Sequence, residues 1–267
     1  MPDNVLAAFG LTLFAGLSTG IGSVLAFFTK TTNTKFLSFS LGFSAGVMIY
    51  VSMIEIFFKA QESLVEAVGT VEGSWLTVLG FFGGMVLIAL IDRFIPTQRN
   101  PHEIKKVEEM DAGPAQNAEL LKMGLFAALA IGIHNFPEGI ATFASSLQDP
   151  RLGIMIAVAV AIHNIPEGIA VSVPVYYSTG DRKKAFKLSF FSGLAEPVGA
   201  LCAYLIFMPF LNGIFFGVLF AAVAGIMVFI SLDELLPAAK KYDEAHISIY
   251  GLMGGMAVMA VSLLLFI

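Results

Sequence analysis

Gly132-Ile133-His134-Asn135-Phe136-Pro137-Glu138-Gly139-Ile140-Ala141 returns 29 residues later as Ala161-Ile162-His163-Asn164-Ile165-Pro166-Glu167-Gly168-Ile169-Ala170. Each copy sits in a long apolar stretch that reads as a membrane-spanning helix. An ionisable side chain in hydrocarbon is costly, by about 2.5 kcal/mol or more on insertion scales. Two His/Glu pairs in matching positions therefore need a reason. The expectation is that they bind a divalent metal ion on its way across a membrane.

The rest of the chain fits that setting. Of its 267 residues 57% are hydrophobic and only 13% charged, against about 25% charged in soluble domains. This composition is that of an integral membrane protein whose partner is the lipid bilayer, and nothing in it points to nucleic acid. Cys202, the one cysteine, excludes an intrachain disulfide and a multi-thiolate zinc site. At roughly 20 residues per crossing, eight spans are predicted at about 5–28, 36–58, 75–95, 121–147, 152–177, 185–207, 211–237 and 248–267. The first lacks a basic segment before it, so it reads as a span rather than a cleaved leader. Residues 1–267 thus form one transmembrane domain. Its one sizeable loop, about 96–120, holds the polar Lys105-Lys106, Glu108-Glu109 and Gly113-Pro114.

Basic residues set the orientation. The loops after spans 1, 3, 5 and 7 carry 13 of the 15 Lys and Arg, and only Lys59 and Arg151 lie on the other side. Those loops, 96–120 included, are expected in the cytoplasm and both termini outside. A second repeat joins spans 2 and 7. Ala45-Gly46-Val47-Met48-Ile49-Tyr50-Val51-Ser52-Met53-Ile54-Glu55 matches Ala224-Gly225-Ile226-Met227-Val228-Phe229-Ile230-Ser231-Leu232-Asp233-Glu234. Spans 2 and 7 run in opposite directions, as do spans 4 and 5. The expected fold is therefore an all-α integral membrane protein of eight transmembrane helices with inverted-repeat pseudo-symmetry, and a site near the midplane.

Residues i and i+4 share a helix face, which pairs His134 with Glu138 and His163 with Glu167. At 1.5 Å per residue, His134 lies ~18 Å from Lys122 and His163 ~18 Å from Arg151, close to the middle of a ~30 Å core. Pro137 and Pro166 have no N–H for the carbonyls of Ile133 and Ile162, so a bend is expected at each. Asn135 and Asn164, about 100° round the helix, are placed for a second site sharing the glutamates. Imidazole with carboxylate suits Zn²⁺, Fe²⁺, Mn²⁺ and Co²⁺ better than Mg²⁺ or Ca²⁺, which prefer oxygen alone. Taken singly, each pair also reads as a buried hydrogen-bonded pair in a kinked helix.

The competing class is an intramembrane metal-dependent enzyme. A zinc protease would need His-Glu-x-x-His, which is absent, and a di-iron bundle Glu-x-x-His, whereas here the order is reversed and the spacing is four. A metal-sensing receptor would need a sizeable domain outside the membrane. No catalytic residue and no resident cofactor is expected.

The two His-Asn-x-Pro-Glu-Gly phrases resemble the paired signatures of the ZIP family of zinc- and iron-regulated metal transporters. Ser40-Leu41-Gly42-Phe43, Gly193-Leu194-Ala195-Glu196 and Ser231-Leu232-Asp233-Glu234-Leu235-Leu236-Pro237 resemble its bacterial members, and the likeness covers essentially the whole chain. The resemblance implies uptake of Zn²⁺, and also Fe²⁺, Mn²⁺, Co²⁺ or Cd²⁺, into the cytoplasm through the cell (inner or plasma) membrane. It further implies a homodimer, an elevator-like movement, and a two-metal site in spans 4, 5 and 6. One metal would use His134, Glu138, His163 and Glu167. The other would use Asn135, Glu138, Asn164, Glu167 and Glu196. The loop after span 3 departs from a histidine-rich pattern, holding only His102, so no metal-sensing loop is implied.

Other residues have plainer readings. Glu196, mid-span and followed by Pro197, reads as a third-helix ligand, the alternative being a buried hydrogen-bonding carboxylate. Glu55 is expected near the outer mouth of span 2 and Glu234 near the inner mouth of span 7. Asp233 adjoins Glu234. Asp92 reads as a surface pair with Arg93, and Trp75 as an interfacial anchor. The Arg182-Lys183-Lys184 run is an orientation signal first and a headgroup contact second.

Overall fold

The described residues of the computed structural model are 3–28, 33–94, 114–207, 212–241 and 246–264, and all their regular structure is helical. The helices are α1 Asp3–Phe28, α2 Thr34–Val51, α3 Phe57–Val68, α4 Thr70–Phe94, α5 Pro114–Gln148, α6 Pro150–Thr179, α7 Arg182–Gly193, α8 Ala195–Cys202, α9 Gly213–Ile230, α10 Leu236–Lys241 and α11 Ile247–Leu264. Five-residue π-turns carry α2 into α3 (Ser52–Ile56), extend α8 (Ala203–Phe207) and carry α9 into α10 (Ser231–Leu235).

Seven described stretches are long and apolar enough to cross a membrane: Asn4–Phe28, Thr34–Val68, Thr70–Arg93, Pro150–Thr179, Arg182–Ile206, Gly213–Lys241 and Ile247–Leu264. They coincide with seven of the eight expected spans. The remaining one, 121–147, falls in α5, whose 35 residues exceed the length of a crossing. Its middle is diluted by His134, Asn135, Pro137 and Glu138. Most of the expected loop 96–120 lies outside the described residues. Within that stretch α5 already begins at Pro114, a residue suited to a first helical turn.

Caps explain why the helices turn back so sharply. The Asp149 carboxylate accepts from the amides of Arg151 (2.9 Å) and Leu152 (3.5 Å), and Pro150 starts α6, so one residue joins α5 to α6. Between α6 and α7, Gly180 closes one helix at φ 68°, and Asp181 caps the next on Lys183 (2.8 Å) and Lys184 (3.1 Å). Pro137 lies within α5, and Pro166 and Pro174 within α6, and both helices run on through them.

The two stretches matched in sequence share their local structure. Ser52 and Ser231 occupy the same place in the repeat, and a π-turn starts at each. Each π-turn holds a carboxylate at the same position, Glu55 and Glu234. Both helices run on past these carboxylates. The span of Glu55 continues to Val68 and that of Glu234 to Lys241, because α3 and α10 prolong them beyond the apolar text. Glu234 is buried at 2% exposure, whereas Glu55 is half-buried.

Helix packing divides the molecule. α1, α5, α6, α7 and α8 pack densely on one another, as do α2, α3, α4, α9, α10 and α11, and the seam between the groups is thinner, chiefly α2 on α6 and α5 on α9. Glycines hold each group together, since without a Cβ two backbones can close on each other. A Cβ on Gly139 would overlap the Glu196 carbonyl and one on Gly199 that of Phe136; likewise Gly168 meets Thr19, and Gly22 meets Ile165. Positions 139 and 168, and 136 and 165, differ by 29; positions 19 and 196, and 22 and 199, differ by 177. The α5–α8 contact is thus repeated, register for register, by α6–α1. In the second group Gly46 meets Leu252 and Gly255 meets Phe43, while Gly225 meets Phe81 and Gly84 meets Ala222. Again the offsets agree, 179 for α2 against α9 and 171 for α4 against α11. Among the described residues, every such glycine-to-backbone contact lies within one group.

These contacts give a direct test. Gly168→Ala is expected to destabilise the fold by roughly 1–3 kcal/mol or to prevent folding, since a helix backbone cannot yield as a side chain does. Gly83→Ala, with open space around it, is expected to be neutral. Thermal unfolding of the two purified variants followed by size-exclusion chromatography checks this, and equal stability would refute the backbone contact.

Candidate metal site

α5, α6 and α8 bring all seven sequence-derived candidates into the interior. His134, Asn135, Glu138, His163, Asn164, Glu167 and Glu196 are each at most 1% exposed. Two helices joined by one residue run antiparallel, so their matching His-Asn-x-Pro-Glu-Gly phrases meet at mid-length. α8 adds Glu196 because Gly139 and Gly199 let its backbone close on α5.

The polar groups pair with one another. His163 Nε2 is 3.0 Å from Glu167 Oε1, its i+4 neighbour, and 3.7 Å from Glu138 Oε1 on the facing helix. The Asn164 amide donates to the Ala15 carbonyl at 2.8 Å and to Glu196 Oε1. Asn135 Nδ2 lies 3.3 Å from the Ser192 carbonyl. Turned over, the same amide has both its atoms satisfied and donates to the Ile131 carbonyl and to Glu167 Oε2, each at 3.1 Å. Ala15 and Ser192 again differ by 177, so the two asparagines meet matching backbone positions of α1 and α7.

His134 takes a partner from the other group. Its Nε2 is 3.2 Å from Glu234 Oε1 in the π-turn after α9. This corrects the expectation that Glu234 stands at the inner mouth, away from the central residues. The π-turn and the continuation into α10 place it about two turns inside the end of its helix. The clue available in the sequence was the repeat itself, which put a carboxylate one residue beyond Asp233.

The chemistry of this cluster is constrained by burial. Four carboxylates and two imidazoles lie where water is scarce, and buried charge needs a counter-charge at hydrogen-bonding distance. Imidazole–carboxylate pairing supplies part of it. Among the described residues, no group of three or more His, Cys, Asp or Glu side chains is arranged as around a metal ion. The side chains are closed on each other instead, and an incoming cation would replace pairs that already exist. Other predicted carboxylates stand apart: Asp92 is half-buried near the end of α4, and Asp233 is exposed.

Known proteins were compared with the chain as a whole. A family model described as ZIP Zinc transporter matches residues 94–263. The zinc transporter ZupT of Oceanobacillus iheyensis is 72% identical over 265 residues, covering 98% of this chain and 99% of its own. That of Lysinibacillus sphaericus is 70% identical over 269 residues and covers both chains in full. That of Streptococcus mutans is 63% identical over 267 residues, again over both full lengths.

Proposed function

The chain belongs to the ZIP family of zinc transporters, and on that premise we propose how its buried cluster carries the ion. It is a multi-pass cell-membrane transporter of divalent metal cations, zinc foremost, and not an enzyme. The reading of the site is our own. One ion binds between His134, Glu138, His163 and Glu167, and a second between Asn135, Glu138, Asn164, Glu167 and Glu196, with Glu138 and Glu167 shared. The observation that carries it is the convergence of His163, Glu167 and Glu138 from two antiparallel helices at mid-length. Fe²⁺, Mn²⁺, Co²⁺ and Cd²⁺ suit the same ligands.

Transport needs both sides in turn, and the packing suggests how. All seven ligands ride on the α1/α5–α8 group, whereas Glu234 belongs to the other. Movement of one group past the other breaks the His134–Glu234 contact and offers the ion a carboxylate outside its own site. Eight spans, α5 included, with outward termini and a basic cytoplasmic side follow from the distribution of Lys and Arg. The recurring offsets of the glycine contacts support an inverted repeat that pairs α1 with α7–α8, α2 with α9, α4 with α11 and α5 with α6. The protein works as a homodimer on the strength of the family alone.

Uptake into sealed proteoliposomes, with Zn²⁺, Fe²⁺, Mn²⁺, Co²⁺ and Cd²⁺ compared at equal concentration, tests the function. Saturable Zn²⁺ entry is expected, and its absence in correctly folded protein would refute it. Binding has its own signature. Metal requires neutral imidazole and ionised carboxylate, so protons compete with it for the same side chains. Zn²⁺ affinity is therefore expected to fall at least tenfold between about pH 7.5 and 5, as measured by calorimetric titration. A flat profile would mean that His134 and His163 are not ligands.

A further inference from the structure

Four cations, Arg182, Lys183, Lys184 and Lys187, crowd the start of α7. Asp181, the nearest carboxylate in the chain, is taken up in capping the helix through the amides of Lys183 and Lys184. Lys183 and Lys187 stand one turn apart on one face, where like charges cost stability. Neither is paired with a carboxylate among the described residues. Arg182 is held in place by two rings, its guanidinium 5.9 Å from the centre of Phe27 and 5.5 Å from that of Tyr176. These are cation–π distances.

The same face turns aromatic one turn deeper. Phe186 and Phe190 stack at 5.7 Å, and Phe191 is 63% exposed. Phe186 and Phe190 also border Gly20 of α1. Between the end of α1 and α7 lies a groove of about 520 Å³, lined by Phe27, Arg182, Lys183, Phe186, Lys187, Phe190 and Phe191. The groove surface is apolar throughout: the aliphatic stems of Arg182, Lys183 and Lys187 line it, and their charged ends lie outside it.

We propose that this groove binds one anionic phospholipid. The phosphate sits among Arg182, Lys183 and Lys187, and an acyl chain runs down over Phe186, Phe190 and Phe191. Basic pockets between spans on the cytoplasmic side are suited to such headgroups. Charge complementarity selects the lipid class: an anionic headgroup offsets the three cations, whereas a zwitterionic one brings its own cation with it. The apolar groove beside the cations selects a lipid over free phosphate. α7 leads directly to Glu196, 13 residues from Lys183 or about 20 Å along a helix. The lipid is thus tied to the group of helices that bears the ion, at one leaflet.

Native mass spectrometry of the purified full-length protein, with phosphatidylglycerol and phosphatidylcholine added at equal concentration, tests this. Phosphatidylglycerol is expected to be retained at least tenfold better. Lys183→Gln combined with Lys187→Gln is expected to erase about tenfold of that retention, and Lys→Arg at both positions to keep it. Lys240→Gln combined with Lys241→Gln removes the same charge from the other group and should change retention by less than twofold. Equal retention of the two lipids, equal loss in both glutamine pairs, or displacement by millimolar inorganic phosphate would each overturn the proposal. The readout is lipid retention, so it stands or falls independently of metal uptake.

Discussion

Glu138→Gln and Glu167→Gln are each expected to bring Zn²⁺ uptake close to background, while Asn135→Ala and Asn164→Ala retain a measurable rate. The shared carboxylates explain the contrast. Glu167 Oε1 is 3.0 Å from His163 Nε2, and its other oxygen lies 3.1 Å from the Asn135 side-chain amide and accepts from it once that amide is turned over, so it borders both proposed ion positions. Two unit charges about 4 Å apart interact by about 4 kcal/mol at an effective dielectric constant near 20 and a dication more strongly still, so loss of one carboxylate is expected to cost at least about a thousandfold in affinity. An asparagine contributes a neutral dipole to one ion only. Uptake rates and Zn²⁺ titrations of the four variants decide the matter, and similar mild losses at all four positions would rule out a shared carboxylate core.

A covalent bridge across the seam is expected to stop transport altogether while leaving binding intact. Ile133 of α5 packs against the Ile226 and Ile230 cluster of α9, and Ile133 and Ile226 line one apolar crevice between the two groups. The chain has a single native cysteine, Cys202, so Cys202→Ser gives a clean background. In it, Ile133→Cys with Ile226→Cys can be bridged by a short bifunctional thiol reagent. If the groups move as rigid bodies, the bridged protein takes up no Zn²⁺, binds it within about twofold of the unbridged protein, and recovers when the bridge is reduced. Continued uptake by fully bridged protein would show that the seam does not move.

Much of this was legible before any coordinates. The His-Asn-x-Pro-Glu-Gly phrases mark the buried cluster because ionisable residues inside apolar text are rare for an energetic reason. Periods of 29 and 179 residues mark which helices correspond. Other features were harder to read. Glu234 was assigned to a mouth because hydropathy falls away after Leu236, yet a helix does not end where its apolar text ends. The helix that holds Glu55 likewise runs on through the polar Lys59, Gln61 and Glu62 of α3. The pairing of α1 with α7–α8 is faint but present in the sequence: Phe14-Ala15-Gly16-Leu17 and Phe191-Ser192-Gly193-Leu194 stand at the same offset of 177, as do Gly22 and Gly199. Thr19 and Glu196 themselves share no chemistry, yet their carbonyls each meet a glycine of the repeated phrase and so fix the register of that likeness. The division into two groups was hidden, since a glycine states that something comes close but not what.

The confinement of glycine contacts to the interior of each group also shapes how the protein can change. At Gly139, Gly168 or Gly225 no larger residue fits, so drift is closed there. Across the seam, side chain meets side chain, as Ile133 meets Ile226, and methyl groups can be exchanged at small cost. Sliding friction is therefore open to adjustment while the ligand geometry stays fixed. A mutational search for faster or slower variants should find them among aliphatic exchanges on α2, α5, α6 and α9 at that boundary. A search for altered ion preference should find its hits on the polar faces of α5, α6 and α8, and the two sets should combine additively.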